Sequence, residues 1–263
     1  MPFIYTDKWK YDPFGGEKDA NGNIYGRGAQ DMKCVGIQYI ECIRRLMRDG
    51  RKLKRTIHLS FVPDEEIGGV AGMGEFVKSD EFRELNIGCA LDEGMASPGE
   101  EFVVFNGERS IWLFEYLSLG GVQNNVVPPE LVVGFDCRLS VDTDHEEFEN
   151  WVKDICKEAG GGTYADINVK MPPTVTTSLD ETNLWWKAFT KETDAMNLKL
   201  KPQIFPGGTD SRFIRELGIP AFGFSPMNNT PVLLHDHNEF LNEKVFLKGI
   251  DIYCQIIPAL ANL

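Results

Sequence analysis

The sequence predicts an α/β fold organised around a largely parallel sheet, on three observations. Short apolar runs alternate with stretches whose apolar residues recur every three or four positions, the strand and helix order of a layered α/β protein. Two of the runs empty into acids, Phe61-Val62-Pro63-Asp64-Glu65-Glu66 and Cys89-Ala90-Leu91-Asp92-Glu93. Ligands of such sheets gather at the carboxyl ends of the strands, so acids there are placed for chemistry rather than packing. The chain has 263 residues, 42% hydrophobic and 25% charged, enough for one large domain or two small ones.

The chain opens on turn formers, from Asp12-Pro13-Phe14-Gly15-Gly16 to Asn21-Gly22-Asn23. Met32, Val35, Tyr39, Ile40, Ile43, Leu46 and Met47 then mark one buried helical face that stops near Gly50. Thr56–Val62 reads as a strand, Met73–Val77 as a short helix and Ile87–Leu91 as a second strand. From Glu101 the texture turns to β-type runs, Phe102–Phe105, Ile111–Leu117 and Leu131–Arg138. Asp144, with Glu147 three residues on, signals the start of a helix that carries Phe148, Trp151, Val152, Ile155 and Cys156 and closes at Gly160-Gly161-Gly162. After a further strand and Pro172-Pro173, a helix holds Trp185, Trp186, Phe189 and Met196. Gly207–Arg212 opens a short helix, Ile219–Phe224 is a buried strand, and Val245–Ile257 is a closing amphipathic helix.

The formal charge of -13 argues against an extended nucleic-acid footprint, and the basic run Arg48–Arg55 reads as a solvated turn at a helix end. Six cysteines without a CxxC pair, most within apolar runs, read as reduced thiols, which predicts a cytoplasmic protein. The N-terminus has no leader pattern and no stretch approaches a membrane span, so no membrane partner is expected.

Adjacent Glu65 and Glu66 can divide two tasks, one binding metal and one handling protons. Asp31 is as well explained by helix N-capping as by a metal role, and Glu93 reads alone as a cap or a solvated loop acid. Together they place carboxylates at three strand ends or loops, alongside His235-Asp236-His237, which is a metal-site composition. One histidine with several carboxylates suits zinc, and more than one ion where a carboxylate bridges. Spacing leaves the choice between His235 and His237 open. His58 reads as a hydrogen-bonded or surface-facing strand residue and His145 as a solvated one. There is no GxSxG, HExxH or P-loop, and Gly26-Arg27-Gly28 is too short for a nucleotide fingerprint.

Five segments stand in a fixed order: Arg27–Lys33, Pro63–Gly69, Ala90–Gly94, Gly208-Thr209-Asp210 and His235–Glu239. In that order the chain resembles the zinc metallopeptidase family of aminoacylases, carboxypeptidases, dipeptidases and deacetylases. Arg27–Cys34, Phe224–Asn228 and Thr230–His237 look most like its aminoacylases. The resemblance implies a three-layer zinc-peptidase-like domain with a mostly parallel mixed sheet (1–110 and 140–263) and the remnant of a smaller α+β lid and dimerisation domain (111–139). It implies two zinc ions bridged by Asp31, with Glu93 completing one ion's ligands and Glu66 with His235 holding the other. His235 is favoured because the family's ligand precedes an acid by four positions, here Glu239. Glu65 would be the general base that takes a proton from the attacking water and passes it to the leaving amine. Asn125 and Arg138 match positions that contact the substrate, and Gly208, Thr209 and Asp210 a loop near its carboxylate. The implied reaction is hydrolysis of an N-acyl-L-amino acid to a carboxylate and a free L-amino acid, by a homodimer.

Two departures modify these expectations. The family's first metal motif, a His-x-Asp upstream of Met1-Pro2, has no counterpart, so one zinc position is expected to be weak or absent. Leu113–Leu119 directly bridges a gap where the family carries a long insertion with dimer contacts and a histidine that reaches a neighbouring subunit's site. Impaired turnover, loss of the dimer and exposed strand edges with reduced solubility follow as expectations. A metal-binding fragment without catalysis, or a related dipeptidase or deacetylase, are the competing readings.

Overall fold

The structure, a computed structural model, describes residues 6–120, 129–160 and 163–263. In chain order the elements are β1 (Asn23–Tyr25), α1 (Lys33–Arg48), α2 (Met73–Phe76), α3 (Asp80–Glu84), β2 (Ala90–Asp92), β3 (Phe102–Glu108), β4 (Ser110–Gly120), β5 (Pro129–Leu139), α4 (His145–Ala159), β6 (Tyr164–Lys170), α5 (Leu184–Ala195), β7 (Leu200–Phe205), α6 (Ser211–Glu216), β8 (Ala221–Phe224), β9 (Phe240–Asn242) and α7 (Glu243–Ala261). They divide into two compact units, Met1–Asn106 with Thr177–Gln203 and Thr209–Leu263, and Gly107–Thr176 with Ile204–Gly208.

The first unit is built on a mixed sheet in the order β2-β8-β3-β7, with β2 and β8 parallel and β3 antiparallel to β8. Side chains alternate across a strand, so β8 feeds two cores at once. Phe222 and Phe224 pack with Val35, Cys42 and Leu46 of α1, Phe189 of α5 and Tyr253, Ile256 and Leu260 of α7. Ala221 instead joins Met73, Val77, Phe82 and Ile214, the core beneath α2, α3 and α6. Two helical layers therefore sandwich the sheet, and each fully buried Phe contributes about 2–3 kcal/mol through lost water contact. A separate antiparallel pair, β1 and β9, brings Tyr25 opposite Phe240. This pairing sets the loop after β1 beside the loop before β9.

The second unit is an antiparallel sheet in the order β5-β4-β6. Leu113–Leu119, expected to span a gap, forms the body of its central strand. Trp112 and Phe114 face α4, where Phe148 meets both rings and the Tyr116 hydroxyl donates to the Val152 carbonyl at 3.3 Å. Asp144 caps α4 by accepting from the amides of Glu146 and Glu147. The unit contains residues 111–139 and also α4 and β6.

The strand expected over Thr56–Val62 does not form. These residues are irregular and mostly exposed, and among the described residues none enters a backbone hydrogen bond with a neighbour. Alternating apolar side chains supply β-propensity, but a strand exists only where a second one shares its ladder. The next strand also comes later than expected, at Ala90–Asp92. His58 is consequently exposed in a coil. His145 is not simply solvated: its ring meets Trp112 edge-on at 5.3 Å, and burial followed by the Lys170 charge lowers its pKa.

Candidate metal centre

Four segments of the first unit converge. The first is the turn between β1 and α1, Arg27-Gly28-Ala29-Gln30-Asp31, where Gly28 takes φ +90°, a conformation that favours glycine. Helix capping does not occupy Asp31, which decides between the two readings the sequence left open. The N-cap position of α1 is Met32, without a side-chain cap bond, and Asp31 Oδ2 instead lies 2.9 Å from His235 Nε2. A tertiary partner has won over a local one.

The second segment is the acid turn. Glu65–Ile67 forms one 3-10 turn between two left-handed residues, Asp64 at φ +61° and Gly68 at φ +108°. Its far side is tied down by the Gly69 amide on the Asp64 carbonyl at 2.8 Å, the Ala71 amide on Asp64 Oδ2 at 2.8 Å, and the Arg212 guanidinium on the Gly68 carbonyl. Glu66 Oε2 reaches 3.1 Å from His235 Nε2.

The third is the end of β2. Asp92 Oδ2 accepts from the Ser211 amide at 3.0 Å and its hydroxyl at 2.7 Å, which fixes the start of α6. Buried Glu93 shares a side-chain hydrogen bond with Asp31. The fourth is the loop before β9, in which His235 has φ +61° and an exposed imidazole. His237 points elsewhere, its Nδ1 3.3 Å from Asp236 Oδ1.

One donor atom each from Asp31, Glu66 and His235 lies within 4.8 Å of the others. Two carboxylates and an imidazole at such spacing suit a small divalent cation with room for a further ligand. The charge balance points the same way. Burial, then the charges of Asp210, Asp31, Asp92 and Glu66, push Glu65 up to about 8. Burial with Asp92 and Asp31 pushes Glu93 well above the carboxylate range. Asp31 is also raised by burial, but bonds from His235 and Glu93 and the charges of His235 and Arg27 outweigh it and hold it low. His235 is raised, first by its bond to Asp31. Crowded acids thus share protons and an imidazolium for want of positive charge, which a divalent cation would supply.

The other expected site residues fall as follows. Thr209 and Asp210 are buried in the first unit. Asp210, pushed up to about 7 by burial and then Asp92, sits at the N-cap position of α6 without capping it. Its Oδ1 packs against the Gly69 backbone, where a Cβ would come within 2.0 Å. Gly208 and Arg138 belong to the second unit, where Arg138 forks onto Asp136 at 2.6 and 2.7 Å. Asn125 lies outside the described residues. Sequence reasoning gave Gln30 no role although it lies within the Arg27–Lys33 segment, and gave Asp92 no task beyond ending a strand.

Among the described residues no helix is long and apolar enough to cross a membrane. A model of peptidase family M20/M25/M40 matches residues 2–259. Aminoacylase-1A of Rattus norvegicus is 42% identical over 316 residues, covering 99% of this chain and 78% of the relative. Aminoacylase-1 of Dictyostelium discoideum is 43% identical over 332 residues, covering all of this chain and 80% of the relative. Both matches run over more residues than the 263 of this chain, so these relatives carry internal residues with no counterpart here. Among solved structures, an M20 family metallo-carboxypeptidase, Sso-CP2 of Sulfolobus solfataricus, shares the fold with a TM-score of 0.77 at 16% identity, over 99% of this chain and 83% of that one.

Proposed function

The chain belongs to peptidase family M20/M25/M40 and is a hydrolase, and from that premise we propose that it is a zinc-dependent amidohydrolase cleaving N-acyl-L-amino acids to a carboxylate and a free L-amino acid. The observation that carries this reading is the convergence of Asp31, Glu66 and His235 on one point, with Glu65 next to Glu66 in the same turn. Asp31, Glu66 and His235 would hold zinc, and Glu93, bonded to Asp31, offers a donor for a second ion. When bound, the metal supplies Lewis acidity that polarises the amide carbonyl and lowers the pKa of a water.

Glu65 handles the proton. Its carboxylate takes one from the attacking water as the carbon–oxygen bond forms, and returns it to the nitrogen as the carbon–nitrogen bond breaks. A carboxylate beside the metal-binding turn, within reach of the attacking water, suits a group that must act as base and then as acid. Asn125, Arg138, Gly208, Thr209 and Asp210 keep the substrate-binding roles that the resemblance implies. The relatives' additional internal residues are where the resemblance sets the histidine that stabilises the oxyanion. Turnover about a hundredfold below theirs is therefore part of the proposal. The setting proposed is the cytoplasm, in keeping with six free cysteines.

The test is a panel of N-acetyl-L-amino acids and dipeptides offered to the zinc-loaded chain, with and without chelator. Chelator-sensitive release of free amino acid from N-acetyl-methionine is expected. Cleavage of dipeptides alone, or cleavage indifferent to chelation, overturns the reading.

A further inference from the structure

The two loops that carry Asp31 and His235 are locked by a reciprocal pair of buried side chains. Glu239, fully buried, wraps its carboxylate around the Asp31 turn. Its Oε1 accepts from the amides of Gln30 at 2.6 Å and Asp31 at 3.2 Å, and its Oε2 from the Gly28 amide at 3.2 Å and the Arg27 guanidinium at 2.8 Å. Gln30, equally buried, reaches the other way. Its Nε2 donates to the carbonyls of Pro231 and Phe240 at 2.9 Å each, and its Oε1 accepts from the Leu233 amide at 3.0 Å. Gln30 therefore grips the His235 loop on both sides of the imidazole, and Glu239 grips the Asp31 turn along its whole length. Neither side chain touches the other loop's metal donor.

From this arrangement we infer that Gln30 and Glu239 are positioning residues that set cation affinity by fixing Asp31 against His235. The inference rests on the reading of Asp31, Glu66 and His235 as a cation site. Two donors on separate loops bind an ion tightly only if their separation is set beforehand, because otherwise binding must also order the loops. Outer partners of this kind characteristically govern metal affinity by about 10–100-fold. An unpaired carboxylate would be expensive at so buried a place, and Arg27 with three amides makes the Glu239 charge tolerable. Gln30 does the equivalent with a neutral amide, all of whose bonds go to main chain of the other loop.

The experiment measures zinc affinity by chelator competition, and the visible spectrum of the cobalt-loaded protein, for wild type, Gln30→Met and Glu239→Gln. Gln38→Met serves as the control, since Gln38 is a fully buried glutamine bonded to the Phe246 carbonyl, away from the site. Gln30→Met and Glu239→Gln are expected to weaken zinc about 10–100-fold and to alter the cobalt spectrum, while Gln38→Met lowers the melting temperature but leaves affinity unchanged. In the wild-type chain, zinc should slow hydrogen exchange at the Gln30, Asp31 and Leu233 amides together, because site and clamp are coupled in both directions. A wild-type chain that binds zinc, with variants binding as tightly or with those amides unprotected, overturns the inference alone. A wild-type chain that binds no zinc overturns the cation-site reading and the inference with it.

Discussion

His235 Nε2 stands 2.9 Å from Asp31 Oδ2, joining a loop near the C-terminus to a turn near the N-terminus. Glu66 closes the triangle from a third segment, at 3.1 Å. No local preference brings these groups together, and each has an ordinary alternative that the fold denies it.

Removing a corner of that triangle should remove the ion. For His235→Ala and Glu66→Ala, elemental analysis after dialysis is expected to find the zinc content sharply reduced, and kcat/KM for N-acetyl-methionine to fall by about a thousandfold. Full retention of zinc in either variant would contradict the assignment.

Glu65→Gln separates proton transfer from metal binding. The variant should retain zinc yet lose about 10²–10⁴ in kcat. The wild-type rate should rise with pH as Glu65 ionises, and the amide variant should lack that rising limb. A pH–rate profile of both proteins decides it.

The metal-free chain should lose stability as the medium becomes less acidic. Burial and neighbouring carboxylates push Glu65 up to about 8 and Asp210 up to about 7, from ordinary values of 4.5 and 3.8. Groups raised on folding contribute stability that is complete below their unfolded pKa and is lost as pH rises through the folded one. Thermal melts should therefore show Tm falling between about pH 5 and pH 8, with zinc reversing the slope and Glu65→Gln flattening its upper part. A flat Tm across that window in the metal-free wild type would refute the argument.

Gly69 is held at φ +62°, and a Cβ there would meet Asp210 Oδ1 at 2.0 Å. Gly69→Ala should lower stability to urea by about 2 kcal/mol or more, part from the left-handed backbone and part from the clash. In an Asp210→Ser background the loss should shrink to the backbone part, about 1 kcal/mol, plus whatever the Phe213 ring 3.2 Å away fails to yield. Equal losses in both backgrounds would show that Asp210 is not the obstacle.

Much of this was legible in the sequence because helices announce themselves locally. The spacing of Val35, Tyr39 and Leu46 predicts α1, although Met47, expected on the same buried face, is exposed; Asp144 marks the start of α4, where its carboxylate indeed accepts two amides. The acids were conspicuous for the same reason: Glu65, Glu66, Asp92 and Glu93 follow apolar runs with no packing purpose. What could not be read depends on partners distant in the chain. Thr56–Val62 has the composition of a strand and, among the described residues, no ladder to join. Asp31 has the position of a cap and a tertiary bond that overrides it. Gln30 lies within the Arg27–Lys33 segment, but nothing there assigns it a role, since its importance lies in three main-chain groups some 200 positions away.

The acid turn is held differently on its two sides. Downstream, Asp64, Gly68 and Gly69 are moored by Ala71, Arg212 and one another. Upstream, the tether through residues 56–62 carries no main-chain bond among the described residues. Its approach is anchored by packing instead, with Ile57 against the core of α1, α5 and α7 and Val62 against the core beneath α2, α3 and α6. Glu65 and Glu66 therefore hang between a hydrogen-bonded side and a packed side, and a substitution at Val62 would reach the acids without touching either of them.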